Sequence, residues 1–472
     1  MPAGYTRPDP TTIIFAGTQS HRAGDAAKDF RFLNVLPEVL ENTITEEKRV
    51  FVTKRDGTSE YSNPPATTGV GRGVYYWPES GKVYSVIGDK IYSNTTAIQT
   101  IGTSTGLVGF VETQGTNRLT VVTETEAWYI NTSDAVTQIV DAQYPAAVAV
   151  YSINIDGYML VVNTADGGIY NSDVDDPSAW TGDKITPEMY PDTTIAITKY
   201  RNMAVAFGAS SVEFFYDAAN VSGSPFSRAQ QYSQEVGLAA VNTLRNVEND
   251  IFLVGQNSSG ARAVYGLNNE KFEMISTEPL NRILDAEGTD ITNADAMICV
   301  IAGRACYVLS LNTADRSFGY DIVNKQWFEI SAAGGGKWDY VFSTQVGNGR
   351  SLLLHRTNGK IYTLSPAVYQ DDGTNFTASI TTNLIDFGTN RRKFITRLEV
   401  MGDEATSSTD LSIQWSDDDY KNFSTARTVD MSGHMFLRNC GTTRRRAFKL
   451  SHTDNTPLRL EKMEVEFDLA EH

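Results

Sequence analysis

The sequence has few of the residues that build covalent cross-links or metal sites. Its 472 residues include three cysteines and five histidines. Cys299 and Cys306 stand seven positions apart in an apolar run that favours a strand, so we expect them and Cys440 to be buried free thiols. No histidine has a His, Cys or acidic partner at helical metal-site spacing, and no metal or other cofactor is expected.

Long apolar segments are missing as well. No window of 18 consecutive apolar residues occurs, and the N-terminal residues lack the basic start and apolar core of a secretory signal. We therefore expect a protein without a membrane anchor that is made in a cytoplasm.

Positive charge is in short supply. Forty Lys and Arg residues stand against 57 Asp and Glu residues, which gives a formal net charge of −17. Affinity for nucleic acid comes largely from cations that neutralise phosphates, so ordinary DNA binding is not expected. An acidic wall would suit a channel through which DNA slides, but solubility through self-repulsion explains the charge more simply.

Motifs that carry chemistry are scarce too. There is no phosphate-binding G-x-x-x-x-G-K-[ST] loop, and the glycine-rich AGGGKW (333–338) lacks the Ser or Thr that would follow the lysine. A flexible loop explains the AGGGKW segment better than a phosphate-binding site does. The prediction is a protein that is not an enzyme and has no catalytic residues.

A short phrase recurs along the chain. GKIYTLS (359–365), DKIYSNT (89–95) and GGIYNSD (167–173) each place Ile-Tyr after a tight turn. In looser form the phrase occurs seven times, with its tyrosines 37 to 55 residues apart: Tyr92, Tyr129, Tyr170, Tyr216, Tyr265, Tyr320 and Tyr362. An apolar run precedes each tyrosine across a polar turn, which is the pattern of a β-hairpin.

Repeats of 40 to 50 residues built from short antiparallel strands indicate a β-propeller. Seven repeat units are counted, and the drift in spacing leaves six blades as an alternative. The other alternative is a β-sandwich whose hairpins contain tyrosine only because tyrosine is frequent in this chain. We predict an all-β protein with an N-terminal extended arm (1–70), a β-propeller (71–369) and a C-terminal β-sandwich-like domain (370–472), whose segments alternate with period two.

Two basic clusters stand out in the C-terminal part. NRRKFITR (390–397) and RNCGTTRRRAFKL (438–450) are separated in sequence but can lie close in space. Three consecutive arginines cannot share one face of a strand, so Arg445 should oppose its neighbours. Charge balance with nearby acidic residues and contact between subunits are equally good explanations. The candidate interface residues are Arg391, Arg392, Lys393, Arg397, Arg444, Arg445 and Arg446.

The arrangement resembles a known family. FLNVLPEVLEN (32–42), GRGVYYWPESGKVYSVIGDKIYS (71–93), ITKYRNMAVAFGASSVEFFYDAA (197–219) and RRRAFKLSHTDNTPLRLEKMEVEF (444–467) are similar to segments of the tail hub or nozzle proteins of short-tailed bacteriophages, the packaged DNA stabilization protein family. The resemblance implies a virion tail protein that forms a hexameric ring below the portal and the adaptor (head-to-tail) protein. Such a ring continues the DNA channel, retains packaged DNA until ejection together with a needle or plug protein, and carries tailspikes or fibres. DNA passes through it without specific binding.

A second hypothesis is a β-propeller glycan-binding protein or glycosidase. Some propellers hydrolyse glycosidic bonds with paired carboxylates or with an arginine cluster and a tyrosine. Asp156, Asp166 and Glu213 are candidate acids, although nothing in their sequence context distinguishes them.

Overall fold

The computed structural model describes residues 9–15, 30–41, 48–62, 65, 68–247, 249–347 and 349–470. The described part of the predicted N-terminal arm contains five strands, four of which pair with strands that follow the arm in the chain. These strands are β1 (Thr11–Ile14), β2 (Arg31–Leu33), β3 (Val35–Glu41), β4 (Lys48–Lys54) and β5 (Gly57–Glu60).

Seven antiparallel units follow one another in the described part of the chain after the first five strands, and each is a propeller blade. The first strand of the fifth blade is interrupted, and the last blade supplies three strands of its own. In chain order the blades are β6 (Gly71–Trp77), β7 (Lys82–Ile87), β8 (Lys90–Ser93) and β9 (Thr96–Thr100); β10 (Gly109–Thr113), β11 (Arg118–Val122), β12 (Ala127–Asn131) and β13 (Val136–Gln138); β14 (Ile153–Ile155), β15 (Tyr158–Val162), β16 (Ile169–Asp173) and β17 (Asp176–Ile185); β18 (Ala196–Tyr200), β19 (Met203–Phe207), β20 (Val212–Asp217) and β21 (Phe226–Arg228); β22 (Gly237–Leu238) with β23 (Arg245–Val247), β24 (Asp250–Gln256), β25 (Arg262–Asn268) and β26 (Lys271–Met274); β27 (Asp295–Ile301), β28 (Arg304–Leu311), β29 (Arg316–Asp321) and β30 (Gln326–Ile330); and β31 (Tyr340–Val346), β32 (Arg350–His355) and β33 (Ile361–Ser365).

The repeated tyrosine occupies an equivalent position in every blade. All seven tyrosines lie on the third strand of their own blade, on β8, β12, β16, β20, β25, β29 and β33. Each preceding apolar run forms the second strand, which is buried on both sides by the adjacent blades. The hairpin register predicted from the sequence is therefore confirmed.

Hydrophobic clusters between neighbouring blades hold the propeller together. Tyr92 and Val74 of the first blade pack with Leu352 and Ile361 of the last, which closes the ring. Similar clusters lie between the first and second, second and third, third and fourth, fourth and fifth, and fifth and sixth blades. Burial between sheets thus stabilises blades that could not bury both faces alone.

The N-terminal strand β5 completes the last blade. It pairs antiparallel with β33, with Ser59 opposite Thr363 and Glu60 opposite Tyr362. A strand from the beginning of the chain therefore fills the outer position of the blade formed last. This pairing joins the two ends of the propeller by backbone hydrogen bonds.

Two of the remaining strands, β34 (Gln370–Asp371) and β35 (Thr374–Asn375), extend the last blade beyond β5. The others form a sandwich beside the sixth and seventh blades. They are β36 (Ala378–Thr381), β37 (Lys393–Gly402), β38 (Asp410–Ser416), β39 (Arg427–Asp430), β40 (Phe436–Arg438), β41 (Thr442–Thr443), β42 (Ala447–His452) and β43 (Arg459–Leu469). One sheet contains β1, β3, β4, β43, β37, β40 and β41. The other contains β2, β36, β42, β38 and β39, and β2 joins it to β30 of the sixth blade. A shared hydrophobic core lies between the two sheets.

The N-terminal strands are hydrogen-bonded to both other parts of the chain. β1 and β4 pair with β43, whereas β5 pairs with β33. The limits predicted for the three parts, 1–70, 71–369 and 370–472, stay predictions. Residues 1–8, 16–29, 42–47, 63–64 and 66–67 of the predicted arm lie outside the described residues.

Helices are few among the described residues. One α-helix, α1 (Glu278–Ala286), connects the fifth and sixth blades, with three short 3-10 helices at Gln230–Tyr232, Val241–Thr243 and Gly288–Asn293. In the part of the chain that the structure describes, no helix has both the length and the apolar character to cross a membrane. Cys299, Cys306 and Cys440 are buried free thiols, as the sequence predicts.

Candidate assembly surface and propeller axis

The structure brings the two basic clusters together at one end of the sandwich. Lys393 at the start of β37 pairs with Thr443 of β41, immediately before the three consecutive arginines. The Arg444 Nη1 atom also donates a hydrogen bond of 3.4 Å to the Asn390 carbonyl oxygen. The two segments form one surface region although about 50 residues separate them in the sequence.

Lys393 is a buried cation inside this region. It is fully buried, and its Nζ atom donates to the carbonyl oxygens of Arg391 (2.8 Å), Arg444 (2.6 Å) and Thr389. Burial lowers the pKa of Lys393 below its usual value. The lysine thus ties the two basic segments together and is not exposed for a partner in this chain.

Arg446 is buried as well, with 1% of its surface exposed. Its Nε and Nη2 atoms bind the two carboxylate oxygens of Asp417 at 2.7 and 2.8 Å. Its Nη1 atom donates to the Cys440 carbonyl, and the guanidinium lies 4.9 Å from the centre of the Trp415 ring. This bidentate, stacked arrangement is one that lysine could not reproduce.

The orientation expected for the three consecutive arginines is wrong in detail. Arg444 and Arg445 are both exposed, and Arg446 points inward. Side chains alternate between two faces only within a strand, and β42 begins only at Ala447. Alternation therefore does not apply to Arg444 and Arg445.

Arg397 is partly buried on β37 and has acidic neighbours. It binds Glu399 at 2.7 Å and Glu466 at 3.6 Å, and its guanidinium lies 5.4 Å from the centre of the Phe436 ring. Ion pairs within the chain account for Arg397 and Arg446, and backbone carbonyl oxygens account for Lys393, without any partner chain.

Four of the seven predicted interface residues remain on the surface next to one another. The Arg391 Nη2 atom donates a hydrogen bond of 3.0 Å to the Ala470 carbonyl oxygen, and its neighbour Arg392 is exposed. Arg444 and Arg445 adjoin them through the Lys393 contacts. We call Arg391, Arg392, Arg444 and Arg445 the basic edge. It is a concentrated positive region on a chain of net charge −17.

The carboxylates considered for glycan chemistry have separate partners. Asp156 accepts a 2.7 Å hydrogen bond from Asn202, and Asp166 binds Lys184 at 2.6 Å. Glu213 is buried and binds Arg228 at 2.6 Å. Among the described residues, no group of three or more His, Cys, Asp or Glu side chains is placed to hold a metal ion.

The propeller axis is filled by side chains. The Arg245 guanidinium lies 5.1 Å from the centres of both the Tyr151 and the Phe342 ring. Beside them, the Tyr75 and Phe110 rings stack with centroids 5.6 Å apart. These residues come from five different blades, and no motif in the sequence connects them.

A small cavity of about 290 Å³ remains between these side chains. Arg245 of the fifth blade contacts side chains of the third and seventh blades across the axis, whereas the major groove of B-DNA alone is about 12 Å wide. Duplex DNA therefore cannot pass along the axis of a single propeller. Side chains of the inner strands therefore occupy the axis of the propeller.

Comparison with known families gives one match over most of the chain. A family model described as "Bacteriophage P22 Gp10, beta-propeller" matches residues 14–369. The match spans the N-terminal strands from Ile14 and all seven blades. A search of curated proteins found no match.

Solved structures with distant similarity carry varied descriptions. A streptogramin B lyase has a TM-score of 0.41 at 10% identity, covering 67% of this chain and 97% of the other. The N-terminal domain of Nup159 has a TM-score of 0.39 at 10% identity, covering 71% and 98%. A catalytically inactive virginiamycin B lyase from Staphylococcus aureus with quinupristin has a TM-score of 0.42 at 10% identity, covering 66% and 98%.

Proposed function

The chain belongs to the bacteriophage P22 Gp10 β-propeller family, and we propose that it forms a ring in the phage tail that continues the DNA channel. The family match over residues 14–369 is the observation that carries this proposal. In the ring, six copies lie below the portal and adaptor, retain packaged DNA with a needle or plug protein, and carry tailspikes or fibres.

The closed propeller axis supports a channel built from several copies. Arg245, Tyr151 and Phe342 fill the axis, so a DNA conduit has to be formed between chains and not through one. A net charge of −17 suits such a conduit, because phosphate groups find little cationic surface on which to bind. DNA then slides past without specific binding.

The basic edge supports contact between neighbouring copies. Its four exposed arginines face solvent on a chain whose formal net charge is −17. Complementary charge favours docking of this edge onto an acidic surface of the next copy. Repeating such a head-to-tail contact around a rotation axis closes a ring.

The test is the assembly state of the full chain with and without the adaptor ring. Native mass spectrometry should show a hexamer when the adaptor is present. A variant with all four basic-edge arginines changed to alanine should stay folded and lose ring assembly. The control removes the same number of exposed positive charges elsewhere, through alanine at Lys90, Lys271, Lys325 and Lys421, and should assemble normally.

Two results would overturn parts of the proposal. Wild-type chain that stays monomeric with the adaptor present contradicts the ring. Equal assembly of the basic-edge variant and the lysine control removes the basic edge from the interface, while the ring itself stands.

A further inference from the structure

An exposed phenylalanine lies beside the basic edge. Phe394 on β37 is 47% exposed. The pairing of β37 with β43 continues to Arg392, whose carbonyl oxygen accepts a hydrogen bond of 2.8 Å from the Ala470 N–H. Arg392 and Phe394 therefore share the outer face of the sheet. Thr442 of β41 lies opposite Phe394, and Arg444 follows two residues later, so the basic edge has an apolar side chain at its border.

A second exposed phenylalanine extends this surface on the same outer face of the sheet. Phe436 of β40 lies opposite Glu399 of β37. The guanidinium groups of Arg397 and Arg438 lie 5.4 and 5.5 Å from the centre of its ring. Arginine and aromatic side chains are enriched at protein interfaces. We call Phe394, Phe436 and the basic edge together the basic-aromatic surface.

The charge of this surface defines the partner that it fits, namely an apolar side chain flanked by carboxylates. Of the large apolar side chains that are exposed in the described part of the chain, Val174 alone has a carboxylate on each side in the sequence. It is 53% exposed in the turn between β16 and β17, with Asp173 before it and Asp175 after it. We call these three residues the acidic turn.

The two carboxylates of the acidic turn are not used in ion pairs among the described residues. Their neighbour Asp176 pairs with Arg118 at 2.6 Å, whereas Asp173 and Asp175 have no such partner. The acidic turn therefore offers two negative charges and an apolar side chain together at the surface.

The two surfaces lie on opposite sides of the propeller. The acidic turn belongs to the third blade, and the sandwich that carries the basic-aromatic surface lies beside the sixth and seventh blades. Because the first blade packs against the last, the third blade is three steps from the sixth in one direction and three from the seventh in the other. One copy cannot bring the two surfaces together, so a contact between them joins two copies head to tail.

We propose that the acidic turn of one copy docks on the basic-aromatic surface of the next, with Val174 against Phe394 and with Asp173 and Asp175 paired to the basic-edge arginines. This inference rests on the ring proposed above and names the acidic surface that the basic edge meets. Complementary charge sets the orientation of the two copies, and burial of the apolar pair adds affinity.

A charge exchange tests the contact in the full chain with the adaptor ring present, with ring formation followed by native mass spectrometry. The edge variant carries Arg444→Glu and Arg445→Glu. The turn variant carries Asp173→Lys and Asp175→Asn, since asparagine tolerates the positive φ of 58° at position 175. Each variant alone should lower the fraction of chain in rings by at least roughly tenfold. The two combined in one chain should restore rings, because the opposing charges have been exchanged.

The control for the turn variant makes the same change of charge on the first blade. Glu79→Lys with Asp89→Asn alters two exposed carboxylates there. This control should assemble normally, and it should not rescue the edge variant.

Val174→Ser tests the apolar contact and serves as the second variant if the turn variant does not fold. It should raise the protein concentration at half-assembly by roughly tenfold. Val323→Ser is the matched control, because Val323 is 70% exposed in the equivalent turn of the sixth blade, between β29 and β30. It should leave assembly unchanged.

The outcomes separate this inference from the proposed function. Wild-type chain that forms no ring overturns the ring and this contact with it. If wild type forms rings, the contact is overturned by normal assembly of the turn variant, by absence of rescue in the combined variant, or by equal rescue from the first-blade control. Equal assembly of Val174→Ser and Val323→Ser likewise overturns it, and in each of these cases the ring stands.

Discussion

Arg55 and Asp371 form a buried bidentate ion pair where the propeller meets the sandwich. The Arg55 Nη1 and Nη2 atoms lie 2.9 and 2.6 Å from the two carboxylate oxygens of Asp371. Arg55 links β4 to β5, and Asp371 follows the last blade. The arginine also donates to Asn34 at 2.9 Å and to the Ser331 carbonyl at 3.0 Å, so one side chain connects four separate segments.

Loss of Arg55 should therefore destabilise the chain strongly. Arg55→Met leaves Asp371 without its cation and also removes the hydrogen bonds that Arg55 donates to Asn34 and to the Ser331 carbonyl. Removal of one partner of a buried pair costs about 3–5 kcal/mol. The free energy of unfolding, measured by urea denaturation, should fall by that amount.

Arg445→Met is the matched control, because Arg445 is exposed on the basic edge. Its effect on unfolding should stay within about 0.5 kcal/mol. If both variants unfold at the same urea concentration, the Arg55 pair contributes nothing to the joint between the two parts.

The propeller was largely predictable because its signal is local. An apolar run, a polar turn and the following tyrosine lie within about 15 residues in each repeat, and nearest-neighbour strands pair in chain order. The position of β5 was not predictable in this way. GTSE carries no register signal, and its partner β33 lies some 300 residues later.

The basic clusters show a similar limit to what the sequence alone can predict. Proximity of the two segments could be anticipated from their composition, but the inward orientation of Lys393 and Arg446 could not. Both depend on acceptors supplied by distant residues, namely the Arg444 carbonyl for Lys393 and Asp417 for Arg446. The axial position of Arg245 likewise arises from closure of the ring, which no stretch of sequence records.

The pairing of β5 with β33 should be needed for a stable propeller. The Tyr61 N–H donates to the Ile361 carbonyl, so by alternation the Ser59 N–H also faces β33. Ser59→Pro removes that donor and should cost about 1–3 kcal/mol in the free energy of unfolding.

Glu60→Pro tests whether strand pairing or proline itself is responsible. The Glu60 N–H faces away from β33, so this variant keeps the ladder and loses the side-chain contact with Lys360 at 3.2 Å. It should be clearly more stable than Ser59→Pro in urea denaturation. The reverse order of stability would contradict the proposed direction of the hydrogen bonds.

His452 should make the stability of the protein depend on pH between 6.5 and 4. The side chain is fully buried on β42, and burial together with the nearby Lys54 charge lowers its pKa from 6.5 to about 4. As the pH falls through this window, the His452 imidazole binds a proton in the unfolded chain but not in the folded chain. Stability present above pH 6.5 is therefore lost towards pH 4, by up to roughly 3 kcal/mol.

His452→Gln should flatten this dependence, because glutamine does not titrate. The measurement is the free energy of unfolding at pH 7 and at pH 4.5 for wild type and variant, and the difference between the two pH values should be smaller in the variant. His434→Gln is the control, since His434 is 62% exposed on the sandwich surface. Equal pH dependence in wild type and His452→Gln would show that this buried histidine does not govern acid stability.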